Sequence, residues 1–139
     1  MKKIFCDTNI LLDVFLEREP FCRPAQILWS LAERRSVVAA VSAVSIANIH
    51  YIMKRLTSSE KANRAVRAVV ETFKIVDLSR DVFDKAFKIH GSDFEDSIQY
   101  VSALKFRADA IISRDLSGFP SAKIPVMDAV EYLALLERK

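Results

Sequence analysis

Glycine is scarce in this chain: two among 139 residues, Gly91 and Gly118, each standing alone. Phosphate cradles of the Rossmann and P-loop kind need several glycines within one short turn, so that backbone amides can reach the phosphate. Both are excluded, and so are collagen-like and low-complexity architectures. The two cysteines, Cys6 and Cys22, are too few for a disulfide framework. Cys6 lies inside an apolar run and is expected to be a small buried side chain. There is no CxxC or HExxH, which speaks against thiolate metal sites and zincin chemistry. No apolar run approaches the roughly 20 residues that span a bilayer. The opening MKKIFCDTN reaches an aspartate too soon for a signal peptide. The expectation is a cytoplasmic, reducing environment with no membrane partner.

What is present is ordinary for a globular protein: 51% apolar and 28% charged residues, with no linker and no repeat. The length suits one domain, 1–139, large enough to bury a core without staples. Lys and Arg number 21 against 18 Asp and Glu, a net charge of +3. This permits a nucleic-acid partner without demanding one.

Short apolar runs alternate with helical patterns. Lys3–Cys6 reads as a buried strand ending at Asp7, followed by an almost wholly apolar helix over Ile10–Leu16. A second helix follows Glu19-Pro20, with Phe21, Ala25, Leu28 and Ala32 at helical spacing. Ser36–Val41 is the next strand, and Ser42 is placed to cap a helix over Ala43–Leu56. Thr57-Ser-Ser-Glu60 has the spacing of a capping box, ahead of a helix expected to bury Ala62, Ala65, Val66, Val69, Val70 and Phe73. Ile75-Val76 is a third strand. The helix after it is expected to bury Val82, Phe83, Ala86 and Phe87 and to stop at His90-Gly91. Ser92-Asp-Phe-Glu95 is a further capping box, opening a helix with Phe94, Ile98, Val101, Leu104 and Ala108 on one face. Ala110–Ser113 is a fourth strand, Ile124–Val126 a possible edge strand, and Asp128-x-x-Glu131 caps the last helix. Wholly apolar strands separated by helices imply a parallel sheet covered on both faces. The expected class is α/β, a three-layer α/β/α sandwich around a parallel sheet of four to five strands.

The carboxylates fall where such a fold binds ligands. Asp7 directly follows the first strand and Asp115 lies two residues past the fourth, both at the carboxyl edge of the sheet. Asp93 and Asp96, at spacing i, i+3, share one face of the helix feeding that fourth strand. Converging carboxylates without basic partners repel one another, and a hard divalent cation such as Mg2+ is the usual resolution. Such a cation could activate water against a phosphodiester.

These residues resemble a known family. Asp7-Thr-Asn-Ile-Leu-Leu-Asp13 is similar to the opening motif of PIN-domain nucleases. Asp93-Phe-Glu-Asp-Ser-Ile-Gln99 resembles their third acidic motif, and Ile112-Ser-Arg-Asp115 with Gly118-Phe119 resembles the fourth. The resemblance implies a parallel sheet between helices and RNA cleavage dependent on Mg2+ or Mn2+. For the small VapC-like members it implies a toxin neutralised by an antitoxin protein, commonly as a homodimer. It assigns metal binding and catalysis to Asp7, Asp96 and Asp115, with Asn9 and Ser113 in support at the strand ends.

One position departs from the pattern. The family usually carries an acid where Ser42-Ala-Val-Ser-Ile-Ala-Asn48 places Asn48. An asparagine offers a carbonyl oxygen but no charge; Asp93 or Glu95 could compensate by position. The alternative function is therefore a catalytically weak or inactive PIN-fold module that binds RNA or a protein partner. Among basic residues, Arg114 beside Asp115, Arg55 and Arg64 are candidate substrate contacts, set against ion pairing and a solvated helix face. His50 reads as a satisfied interior or interface histidine. A dehalogenase-like phosphatase, which would need Asp-x-Asp, is set aside because the sequence reads Asp7-Thr8-Asn9.

Overall fold

The structure is a computed structural model, described here for residues 1–90, 93–119 and 123–138. Five parallel strands, β1 (Lys3–Cys6), β2 (Val38–Ser42), β3 (Lys74–Val76), β4 (Ala110–Ile112) and β5 (Val126–Met127), form one sheet in the order β3-β2-β1-β4-β5. The helices are α1 (Thr8–Phe15), α2 (Cys22–Glu33), α3 (Ala43–Leu56), α4 (Ser59–Thr72), α5 (Arg80–Phe87), α6 (Phe94–Phe106) and α7 (Ala129–Glu137). A 3₁₀ turn over Leu116–Gly118 follows β4. The three-layer expectation is met.

Alternating side chains of each strand sort the core into two layers. Ile4, Cys6, Ala39, Val41, Ala110 and Ile112 pack with buried residues of α1, α2, α3, α4 and α7. Phe5, Ala40 and Ile111 face the other way, against Ala103 of α6, Phe119 and Ile124. Val82 and Ala86 of α5 meet Ile98 and Val101 of α6 in a smaller cluster. At the end of α1, Phe15 meets Trp29 edge-on at 5.4 Å and Trp29 meets Phe73 at 5.0 Å, while Val14, Phe15 and Leu16 stay partly exposed. Cys6 and Cys22 are both buried and free. Among the described residues no helix is long and apolar enough to cross a membrane.

Several local expectations need correction. The N-cap of α4 is Ser58, whose hydroxyl accepts from the Lys61 amide; Thr57 instead ends α3. Val70 and Phe87 are exposed, as are Phe94 and Leu104. A helical period tells which residues share a face, but not how far the neighbouring layer extends over it. Helix α5 ends at Phe87, so His90 lies beyond its last turn. Gly91 and Ser92, assigned to a stop and a cap, lie outside the described residues, and Asp93 is the N-cap of α6. The last strand is Val126–Met127, shifted from Ile124–Val126.

The order of strands positions the site. From β1 the chain runs outward through β2 to β3 and then returns to the other side of β1 as β4. The order reverses between β1 and β4, and their carboxyl ends define the crevice where open parallel sheets bind ligands. Cys6 is in register with Ile112, so the residues after both strands emerge side by side.

Candidate active site

Asp7 caps α1: its Oδ1 accepts from the Thr8 amide at 2.8 Å. Its Oδ2 accepts from the Ser113 hydroxyl, which is fully buried, at 2.9 Å. The two bonds fix the carboxylate at the end of β1 and favour its charged form. Burial outweighs them, and with nearby Asp115 it raises the Asp7 pKa above the ordinary range. Asp115 stands just past β4, where its amide donates to Ser113 Oγ at 3.1 Å and its Oδ1 accepts from Ser117 at 2.8 Å.

Asp96 lies in the first turn of α6. Burial first, then Asp93, Asp7, Asp115 and Glu95, push its carboxyl up to about 6. Gly118 shows how it is aimed. A Cβ on that glycine would lie 3.1 Å from an oxygen of Asp96 and 3.1 Å from an oxygen of Asp115. The two carboxylates thus converge on the space beside this glycine, which a Cβ would crowd. Asp93 is committed elsewhere: its Oδ1 accepts the Asp96 amide at 2.7 Å as the helix cap. Glu95 accepts from Asn48 Nδ2 of α3 at 2.8 Å. Burial, followed by Asp7 and Asp93, raises its pKa, against the lowering effect of the Asn48 bond.

The donor set is hard carboxylate oxygen without thiolate or imidazole, and among the described residues no ion pair neutralises Asp7, Asp96 or Asp115. That chemistry, with the opening over Gly118, fits a small divalent cation. Among the described residues no three acidic, histidine or cysteine side chains are gathered tightly enough to hold one ion as they stand.

Beneath the crevice lies a buried polar knot. Gln99, one turn after Asp96, donates from Nε2 to Ser45 Oγ at 3.1 Å and to Thr8 Oγ1 at 3.3 Å, and the two hydroxyls are 2.7 Å apart. All three residues are buried. They join α6, α3 and α1 one residue or one turn from Asp96, Asn48 and Asp7. Thr8, Ser45 and Gln99 carry little signal in sequence, because each reads as a helical position with an incidental polar side chain.

The candidate substrate contacts are otherwise engaged. Arg114 makes a two-pronged bond to Asp13, at 2.8 and 3.0 Å, and its guanidinium lies 4.1 Å over the Phe21 ring. Asp13 is 0% exposed, and Arg18 approaches it at 3.7 Å. Asn9 is exposed and accepts from Arg18 at 3.2 Å. Arg64 pairs with Glu60 at 2.8 Å, and Arg55 donates to Tyr51. His50 is hydrogen-bonded to Asn63 at 2.7 Å. A hollow of about 850 Å³ between the ends of α2 and α4 is lined by Glu33, Arg35, Glu71 and Lys74, away from the aspartates.

A parallel sheet with acids at its switch point defines a class of α/β proteins, and comparison with known proteins narrows it. A family model described as the PIN domain matches residues 3–117, and the chain belongs to the PIN-domain family. Ribonuclease VapC1 of Aquifex aeolicus (strain VF5) is 27% identical over 141 residues, spanning 94% of this chain and 93% of that protein. A toxin–antitoxin complex from Klebsiella pneumoniae contains a chain 25% identical, with TM-score 0.65 over 91% of this chain and 97% of that one. DNA-bound VapBC from Salmonella typhimurium gives a TM-score of 0.69 at 14% identity, over 93% of this chain and 99% of that one, a likeness of fold.

Proposed function

We propose that this chain is a VapC-like ribonuclease that hydrolyses RNA phosphodiesters with Mg2+ or Mn2+, the cation held by Asp7, Asp96 and Asp115. The observation that carries the reading is the convergence of Asp96 and Asp115 on the opening over Gly118, beside Asp7 at the switch point. When bound, the cation would supply neutralising charge to the phosphate and acidify a water. The chain's own residues do the positioning. Ser113 and the Thr8 amide fix Asp7, the cap from Asp93 fixes the first turn of α6, and the Gln99 knot holds that turn against α1 and α3. Carboxylates that raise one another's pKa would be relieved of that repulsion by a bound cation.

The relatives named as toxin–antitoxin complexes support a second part of the proposal: the chain is the toxin of a pair, bound by an antitoxin protein. The catalytically silent alternative draws on the Asn48 side chain, which presents an amide donor where an acid was expected.

The test is cleavage of RNA in Mg2+ or Mn2+ by the wild-type chain and by Asp96→Asn. Loss of roughly a hundredfold or more in rate is expected for the variant. Equal cleavage by both would sink the proposal. No cleavage by the wild-type chain, with Mn2+ still bound, would favour the silent module.

A further inference from the structure

A second hollow, of about 240 Å³, opens between α1, the start of α2 and the start of α7. Its walls are mostly apolar, built from Ile10, Pro20, Pro24, Val130 and the ring of Phe21. Phe21 is 40% exposed and Val130 61%, far more than core side chains of their type. The volume falls below the roughly 300–1,000 Å³ of sites that enclose drug-sized ligands, and suits a single planar ring.

One wall is already flat. The Arg114 guanidinium lies 4.1 Å over the Phe21 ring. Its two bonds to buried Asp13, at 2.8 and 3.0 Å, hold that plane in place. Aromatic rings and guanidinium planes are the two surfaces on which unpaired RNA bases stack. Asp128, also at the rim, caps α7 through Oδ1. Its other oxygen has no hydrogen bond or ion pair among the described residues, and is an acceptor for an N–H on the edge of a base.

The position of the hollow favours a base over a protein side chain. Arg114 stands between Ser113, whose hydroxyl holds Asp7, and Asp115; successive Cα atoms are about 3.8 Å apart. Ile10 donates its amide to the Asp7 carbonyl at 3.1 Å. Asp128 directly follows β5, the strand paired to β4. The hollow thus lies at the same carboxyl edge as the acidic crevice, one strand further along. An RNA strand with a phosphate at the crevice has a neighbouring base to place there.

Resting on the reading under Proposed function, we propose that this hollow is a nucleobase subsite, in which one base of the RNA strand crossing the crevice stacks against Phe21 and Arg114 and is read at its edge by Asp128.

Nuclear magnetic resonance shift mapping tests this without turnover. In chelator, the four nucleoside 5′-monophosphates should move the amides of Ile10, Phe21 and Val130 and the Arg114 Nε–H. Phe21→Ala should weaken that binding roughly five- to a hundredfold. Val130→Trp, which fills the hollow from an exposed position, should do so by at least as much. Asp128→Asn keeps a competent cap but exchanges the free acceptor for a donor, and should reorder the four nucleotides by about threefold or more with melting temperature unchanged. A short single-stranded RNA added to Asp96→Asn should move these residues together with Ser113 and Asp115. No shift with any nucleotide, or shifts that survive in a folded Val130→Trp, would overturn the inference. So would RNA that moves Ser113 and Asp115 alone. Tighter binding of N-acetyl-phenylalanine amide at the same residues would overturn it in favour of a protein partner's side chain. Absence of these shifts in a chain that cleaves RNA would leave the nuclease reading standing; their presence in a chain that cleaves none would keep the subsite and remove the nuclease.

Discussion

Replacing Asp96 by asparagine should make the metal-free protein more stable. The carboxyl of Asp96 has an ordinary value of 3.8 and sits near 6 in the folded chain, raised by burial and four neighbouring acids. A folded value above the unfolded one means that the folded state binds the proton more readily. The ionised carboxylate therefore costs stability above pH 6, and the cost disappears as pH falls toward 4. In a site closed to water the change would be worth about 3 kcal/mol. Asp96 is only half-buried, so solvent screening leaves on the order of 1 kcal/mol. For a chain of this length that is about 3 °C in melting temperature. No hydrogen bond of the Asp96 side chain to the described residues opposes the gain; its amide, not its carboxylate, makes the bond to Asp93. The assay is thermal unfolding in chelator at pH 7.5, 6 and 4. The variant should melt higher at pH 7.5, less so at pH 6, and equally at pH 4. Saturating Mn2+ should reverse the order at pH 7.5, because a bound ion stabilises only the chain that holds it. A variant that melts lower in chelator at pH 7.5, or a gap indifferent to pH, would refute the reasoning.

Two other expectations follow from the same geometry. Gly118→Ala places a methyl group 3.1 Å from oxygens of Asp96 and Asp115. Mn2+ affinity and RNA cleavage should each fall by roughly tenfold or more, with melting temperature changed by about 1 °C or less; unchanged cleavage would show that the opening is idle. Arg114→Ala strips the two-pronged partner from buried Asp13, leaving Arg18 at 3.7 Å. Breaking a buried pair costs about 3 kcal/mol, roughly 10 °C here, and Asp13→Asn in the same chain should recover part of it. If Arg114 served mainly as a phosphate contact, KM would rise while stability stayed put.

The strands and most helices were legible in the sequence because local chemistry fixes their ends. Ser42 caps α3 through the Val44 amide, and the helix runs over Ala43–Leu56 as read. Asp128 and Glu131 form the reciprocal cap of α7. Asp7 and Asp115 were placed by the rule that parallel strands offer their carboxyl ends, which needs only the strand ends. The hidden part is what pairs across elements. Asn48 looked like the loss of an acid, and its bond to Glu95 emerges only when α3 meets α6. Asp13 lies at a helical position among apolar residues, and its partner Arg114 comes 101 positions later. Asp93 and Asp96 share a face, yet one caps and the other points into the crevice, because an N-cap and an N3 side chain leave the helix in different directions.

The span between Asp7 and Ser113 has a consequence for timing. These residues, bonded at 2.9 Å, are 106 positions apart. β1 is made well before its partner β4, which begins at Ala110. Until then Asp7 has neither the Ser113 hydroxyl nor the two acids from α6 and the turn after β4. A contact of such long range forms late and only with the sheet as a whole. The end of β1 is therefore completed as a site only once β4 and the turn after it have joined the sheet.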